Sequence, residues 1–185
     1  MSDLAIPVLG ITGFSGSGKT TLLAGLIARL TARGLNIGLV KHTHHAFDID
    51  HPGKDSHTLR KAGACRVALG SSQRLALMIE RPAPQEATLA ELLALMDDPE
   101  LDLILVEGFR SERHPKIEVH RPALAHALLA RTDPAVLAVA TDDAALDTCG
   151  KPRLALDDPL AIETFVLDFL QRARAASHPS VRKES

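Results

Sequence analysis

Hydrophobic and polar positions divide the chain into short, legible segments. Leu4 to Thr12 is a nearly continuous apolar run closed by Gly13, the pattern of a strand buried on both faces. From Lys19 to Arg33, Leu22, Leu23, Leu26, Ile27 and Leu30 recur at helical spacing, and Gly34 follows as a C-terminal stop. Leu35 to Val40 reads as a second strand. Strand, glycine loop, helix, glycine, strand is one βαβ unit, whose crossover is right-handed. Lys41 to Gly53, KHTHHAFDIDHPG, departs from this pattern and reads as a polar loop closed by Pro52-Gly53. Asp55 to Ala64 reads as a short helix with Asp55 or Ser56 at its N-cap. Arg66 to Gly70 and Arg74 to Glu80, separated by Ser-Ser-Gln, read as a hairpin. Leu89 to Met96 is a helix stopped by Asp97-Asp98-Pro99. Leu101 to Val106, Lys116 to His120 and Val136 to Ala140 are further strands. Ala161 to Arg172 is an amphipathic helix with Phe165, Phe169 and Leu170 inward. Alternating strands and helices give an α/β fold: a mostly parallel sheet flanked by helices, with an irregular insertion at about 42–85.

Composition narrows the picture. The 185 residues are 45% hydrophobic and 24% charged, ordinary for one globular domain. No linker divides them, so residues 1–175 are expected to form a single nucleotide-binding domain and 176–185 a disordered tail. A net charge of −2 and an aromatic content of 3%, all of it Phe, argue against a nucleic-acid partner. No run approaches ~20 apolar residues, and the N-terminus lacks a basic n-region, so neither a membrane span nor a signal peptide is expected. Cys65 and Cys149 form no C-x-x-C pair and suit a reducing compartment. The expected location is cytoplasmic.

The chemistry enters at Gly13-Phe-Ser-Gly-Ser-Gly-Lys-Thr20, which fits the P-loop pattern and sits between a strand and a helix. Glycines let successive N–H groups curl around an anion, and the helix that opens at Lys19 adds its positive end. Gly13, Ser15, Gly16, Ser17, Gly18, Lys19, Thr20 and Thr21 are therefore candidate phosphate-binding residues. Lys19 reaches the β and γ phosphates, the Thr20 hydroxyl ligates Mg²⁺, and Thr21 reaches the α phosphate. The fold is accordingly of the P-loop NTPase type.

A metal-bound phosphate site also needs a carboxylate. LDLILVEGF offers Asp102 at the start of a strand and Glu107 at its end, roughly 17 Å apart in an extended chain. Ligands of parallel sheets sit at the carboxyl ends of strands. Glu107 is thus the Mg²⁺ candidate, with Gly108 allowing close approach to phosphate. Lys41, at the end of its strand, faces the same side as a nucleotide or substrate contact. Asp142, just after a core strand, stands where a carboxylate can read a guanine edge or cap a helix. The His-rich loop admits two readings, a transition-metal site or a polar loop that orders around a nucleotide or partner. Its spacing forms no compact ligand set, which favours the second. Asp48 and Asp50 could hold Mg²⁺ through water.

GFSGSGKTTLL, GLVKHTHH, FDIDHPGKDSHTLRKAGA, LALMIE, LDLILVEGF, PKIEV and AVATD, in that order over residues 8–142, together resemble the MobB family of molybdopterin-guanine dinucleotide biosynthesis adapter proteins. The resemblance implies a P-loop GTP-binding protein, a homodimer with Mg²⁺ and at best a slow GTPase. It implies work with the guanylyltransferase MobA, which attaches GMP to molybdopterin, with the molybdopterin cofactor itself as a further candidate partner. His42, His44, His45, Asp48, Asp50, Lys54, Asp55 and Ser56 match the family loop, without an assigned role. Two positions depart. Ala46 stands where the family often has Asp, and Arg110 where it has Lys. The rival readings from the residues are a small P-loop kinase or ligase using Lys41 and Glu107, and a metallochaperone GTPase using the His loop.

Overall fold

The computed structural model describes residues 6–43 and 49–177. In chain order its elements are β1 (Val8–Thr12), α1 (Lys19–Ala32), β2 (Ile37–Lys41), α2 (Asp55–Lys61), β3 (Arg66–Gly70), β4 (Leu75–Ile79), α3 (Leu89–Ala94), β5 (Leu103–Glu107), β6 (Lys116–His120), β7 (Val136–Thr141), β8 (Arg153–Ala155) and α4 (Pro159–Ser177). Two 3₁₀ turns, Pro122–Leu124 and Leu129–Arg131, lie between β6 and β7. The described residues form two compact units, Thr43–Ala87 and the chain on either side of it.

In the larger unit six parallel strands pair in the order β2-β5-β1-β6-β7-β8. β5 is buried throughout and feeds both faces of the sheet. Leu103 and Leu105 join Leu23, Leu26 and Leu30 of α1 and Ile162, Val166 and Leu170 of α4. Ile104 and Val106 join Leu89 and Leu93 of α3 on the opposite face. That arrangement is why Leu-Ile-Leu-Val shows no alternation. β2, at the edge of the sheet, has exposed Leu39 and Lys41 alternating with buried Gly38 and Val40.

β6 carries a polar face that is also buried. Ile117 and Val119 enter the α1–α4 core, while Lys116, Glu118 and His120 point the other way and are just as enclosed. Each buried charge has a partner, as it must. Lys116 Nζ donates to the Arg110 and Glu112 carbonyls at 3.0 and 2.6 Å and lies 3.1 Å from Asp133 Oδ2. Glu118 accepts the Leu129 and Ala130 N–H groups, both at 2.8 Å. These contacts hang the segments 108–115 and 121–135 on the strand.

The smaller unit holds the insertion expected at 42–85. Its helix and hairpin are the ones expected, α2 followed by the antiparallel β3–β4 pair. Ser71 shapes the hairpin turn, its Oγ accepting the Gln73 and Arg74 N–H groups. The N-cap of α2 is Lys54 rather than Asp55 or Ser56. The Ser56 hydroxyl is instead directed to Asp50, at 2.9 Å.

The α4 helix runs past the expected end at Arg172 to Ser177, so the start of the expected tail at 176 is helical. Residues 178–185 lie outside the described residues. β8 and the two 3₁₀ turns were not anticipated, because three-residue elements are too short to show a period.

Candidate functional site

The P-loop lies at the carboxyl edge of the sheet. Gly13, Gly16 and Gly18 all take positive φ, at 137°, 77° and 97°. At Gly13 the need is also steric, because a Cβ there would stand 2.4 Å from the Val119 carbonyl oxygen of β6. Gly18 is the N-cap of α1 and has no capping side chain of its own. Lys19 follows at the first helical position, and its Nζ donates to the Phe14 carbonyl at 2.8 Å. Ser17 Oγ is buried without a hydrogen-bond partner, and its carbonyl accepts Arg121 Nε at 3.0 Å.

Strand register brings the second group of residues to the loop. Glu107 pairs across the sheet with Ile11 on one side and Lys41 on the other. Thr20 Oγ1 donates to Glu107 Oε1 at 3.1 Å, and Lys41 Nζ lies 3.0 Å from both carboxylate oxygens. Asp102, at the other end of β5, accepts the Asn36 N–H at 2.9 Å and pairs with Arg174. It is a structural residue at the strand's start, as its position implied. Gly108 has φ 97°, and a Cβ there would lie 2.8 Å from His42 Cβ. The His42 N–H in turn donates to the Glu107 carbonyl at 2.9 Å, and its ring tilts against Phe109 at 4.7 Å.

Charge at this edge is mostly positive. Burial lowers the Lys19 ammonium below its ordinary pKa; Glu107 opposes this, while Lys41 and Arg110 reinforce it. Three cations around one carboxylate favour a polyanion, which would relieve their mutual repulsion.

Asp142 and Thr141 lie where the sequence placed them, at the end of β7. The Asp142 carboxylate is paired with Arg121, and Thr141 Oγ1 accepts the Asp143 N–H at 3.2 Å. Arg121 is the site residue that sequence reading missed. It directly follows β6, so the carboxyl-edge argument applied to Lys41 would have found it. Phe14 and His126 were missed as well. Their rings stack at 4.0 Å, with Arg110 over the Phe14 ring at 4.6 Å.

The His-rich loop is only partly described. His44, His45 and Asp48 lie outside the described residues. Within the smaller unit Asp50 is buried, 2.9 Å from the Ser56 hydroxyl and 3.9 Å from Arg60, and Arg60 reaches Glu80 at 2.8 Å. Asp50 thereby ties α2 to the segment before it. Lys54 and Asp55 are exposed at the start of α2. Among the described residues no group of three or more His, Cys, Asp or Glu is placed to hold a metal ion.

Known proteins are similar to this chain. The family model of molybdopterin guanine dinucleotide synthesis protein B matches residues 8–142. A molybdopterin-guanine dinucleotide biosynthesis adapter protein of Escherichia coli is 45% identical over 173 residues, covering 90% of this chain and 95% of its own. A protein of the same description from Haemophilus influenzae is 47% identical over 137 residues, covering 74% of this chain and 75% of its own. The crystal structure of Bacillus subtilis MobB superposes with a TM-score of 0.69 at 27% identity, covering 89% of this chain and 98% of that one. With its P-loop, its Glu107 edge and this span of similarity, the chain belongs to the MobB family, molybdopterin guanine dinucleotide synthesis protein B.

Proposed function

We propose that this protein binds GTP with Mg²⁺ at its P-loop and serves in the cytoplasm as an adapter for the MobA guanylyltransferase in making the molybdopterin guanine dinucleotide cofactor. The carrying observation is the meeting of Thr20 and Lys41 on Glu107 beside the P-loop, in a chain of this family. The residues suit the ligands. Positive-φ glycines and the buried, unpartnered Ser17 hydroxyl form a cradle for phosphate oxygens. The Thr20 hydroxyl and the Glu107 carboxylate are hard oxygen donors of the kind Mg²⁺ takes, and the metal would neutralise charge between the β and γ phosphates. Lys41, now held by Glu107, would then be free to turn to a phosphate.

Titration of GTP against ATP, with and without Mg²⁺, tests this reading. Tight Mg²⁺-dependent GTP binding supports it. Preference for ATP, with phosphate passed to a small metabolite, would favour the kinase reading instead.

We also propose a homodimer through the smaller unit. Leu75, Leu77 and Ile79 alternate along one face of β4 and are 84%, 53% and 41% exposed. A two-stranded hairpin is marginal by itself and leaves its outer edges unpaired. A second copy, related by a two-fold axis, presents the same edge and the same leucines.

A further inference from the structure

The turn that follows β5 is strained. Phe109 takes φ 46°, a left-handed backbone that a bulky residue adopts only under constraint. The constraint is its ring, buried in the cluster of Val40, Ile104 and Val106. After this turn the next residue, Arg110, lies over the P-loop, its guanidinium carbon 4.6 Å from the centre of the Phe14 ring. The main chain of Arg110 is held, because its carbonyl accepts the buried Lys116 ammonium at 3.0 Å. Its side chain is exposed. A fixed root with a solvated side chain is a pivot. Phe14 also holds the P-loop lysine, since its carbonyl accepts Lys19 Nζ at 2.8 Å. The two cations are close enough for the Arg110 charge to help lower the Lys19 pKa. On Phe14 itself, the His126 ring stacks at 4.0 Å and 14°. A cation on an exposed ring is weakly held, whereas a charge-assisted bond to a phosphate oxygen is a stronger alternative.

We propose that Arg110 is a reserve cation for the γ-phosphate of GTP, parked on the Phe14 ring, and that this parking limits GTP hydrolysis. This rests on the reading of the P-loop as a GTP site. In hydrolysis the water oxygen bonds to the γ-phosphorus while the bond from that phosphorus to the β–γ bridging oxygen breaks. GDP keeps the electron pair of the broken bond. One water proton stays on the released phosphate and the other goes to solvent. Negative charge gathers on the bridging oxygen, and a guanidinium turned inward from Phe14 neutralises it. Arginine suits both positions, because its planar group stacks on a ring and can also bond two oxygens at once.

The test compares wild type, Arg110→Gln, Phe14→Leu and the double variant. Phe14→Leu keeps an apolar side chain and removes the ring face. Single-turnover GTP hydrolysis is measured with Mg²⁺, together with affinities for GTP, for GDP and for GDP with aluminium fluoride, which mimics the phosphoryl group in transfer. Hydrolysis rises about fivefold or more in Phe14→Leu, falls about fivefold or more in Arg110→Gln, and does not rise in the double variant. In Arg110→Gln the aluminium fluoride complex weakens about tenfold or more, while GDP affinity stays within about threefold of wild type. A rise in the double variant equal to that in Phe14→Leu overturns the proposal. So does a loss of GDP affinity in Arg110→Gln as large as that of the aluminium fluoride complex, which would make Arg110 a prop for the loop. If the wild type does not bind GTP, the P-loop reading fails first and takes this inference with it. If it binds GTP and all the variants hydrolyse it at the wild-type rate, or none hydrolyses it, that reading stands and this inference alone falls.

Discussion

At Lys19 and at Glu107 a single substitution isolates the charge. Lys19→Ala removes a charge-assisted donor and no core volume. GTP affinity is expected to fall by about ten- to hundredfold, with melting essentially unchanged, as read by calorimetry. Unchanged affinity would end the P-loop assignment. Glu107→Gln keeps the size and removes the charge that Thr20 and Lys41 share. Its GTP binding should lose most of its Mg²⁺ dependence, whereas Asp102→Asn, changed at the far end of the same strand, should titrate with Mg²⁺ like wild type. These positions were legible because strand polarity fixes which carboxylate stands at the P-loop edge. Arg121 directly follows β6 and was open to the same argument; what stayed hidden was the enclosure of that strand, because Lys-Ile-Glu-Val-His looks like a strand with one solvated face. Only the tertiary contacts of Lys116 and Glu118 show that its polar side is enclosed.

Among the elements, α1 and α4 are joined by more than their leucines. Glu163 of α4 is buried and gripped by Arg29 of α1, at 2.5 Å, and by Arg33 at that helix's C-cap. Burial alone would raise its pKa, but the two guanidinium groups outweigh that and hold it below the usual 4.5. Its contribution to stability is therefore present above that value and lost as pH falls through the lower folded pKa. His114 acts earlier in the same descent. Burial, then the nearby Lys116 ammonium, pushes it from 6.5 down to about 4. The unfolded chain takes up this proton first, so melting temperature should fall as pH drops from 6.5 toward 4. His114→Asn should flatten that segment of the profile, and Glu163→Gln the segment below it. An unaltered slope in either variant would contradict the assignment. At α3, Thr88 and Glu91 form a reciprocal capping box. Thr88→Ala should cost about 1 kcal/mol, or roughly 2–4 °C in melting temperature. The Thr-x-x-Glu spacing stood in the sequence and marks this helix start as readily as the Gly34 stop marked the end of α1.

At the scale of the whole molecule, light scattering should give a dimer that Leu77→Glu dissociates. A monomer across a wide concentration range would contradict pairing through the smaller unit. Turnover by the protein alone should be slow, well below the ~10 s⁻¹ typical of enzymes. Val106-Glu107-Gly108-Phe109 carries no Gln or His to orient water, and the Arg110 guanidinium rests on Phe14. Adding MobA should raise the yield of the guanine dinucleotide cofactor at limiting GTP; no effect at any GTP level would remove the adapter role and leave GTP binding standing. The α/β class and the P-loop were readable because they rest on local runs. The hairpin's exposed leucines were not, since a two-sided apolar strand looks the same whether its own fold or another molecule covers it. The pile of Arg110, Phe14 and His126 has a mechanical consequence. It is a linkage with three arms, rooted in the P-loop, in the segment after β5 and in the segment after β6. Rings stacked at 4.0 Å tolerate little sliding before contact is lost. Any displacement of Phe14 must therefore carry the other two arms along or break the stack, so movement of the P-loop is communicated along two surface segments at once.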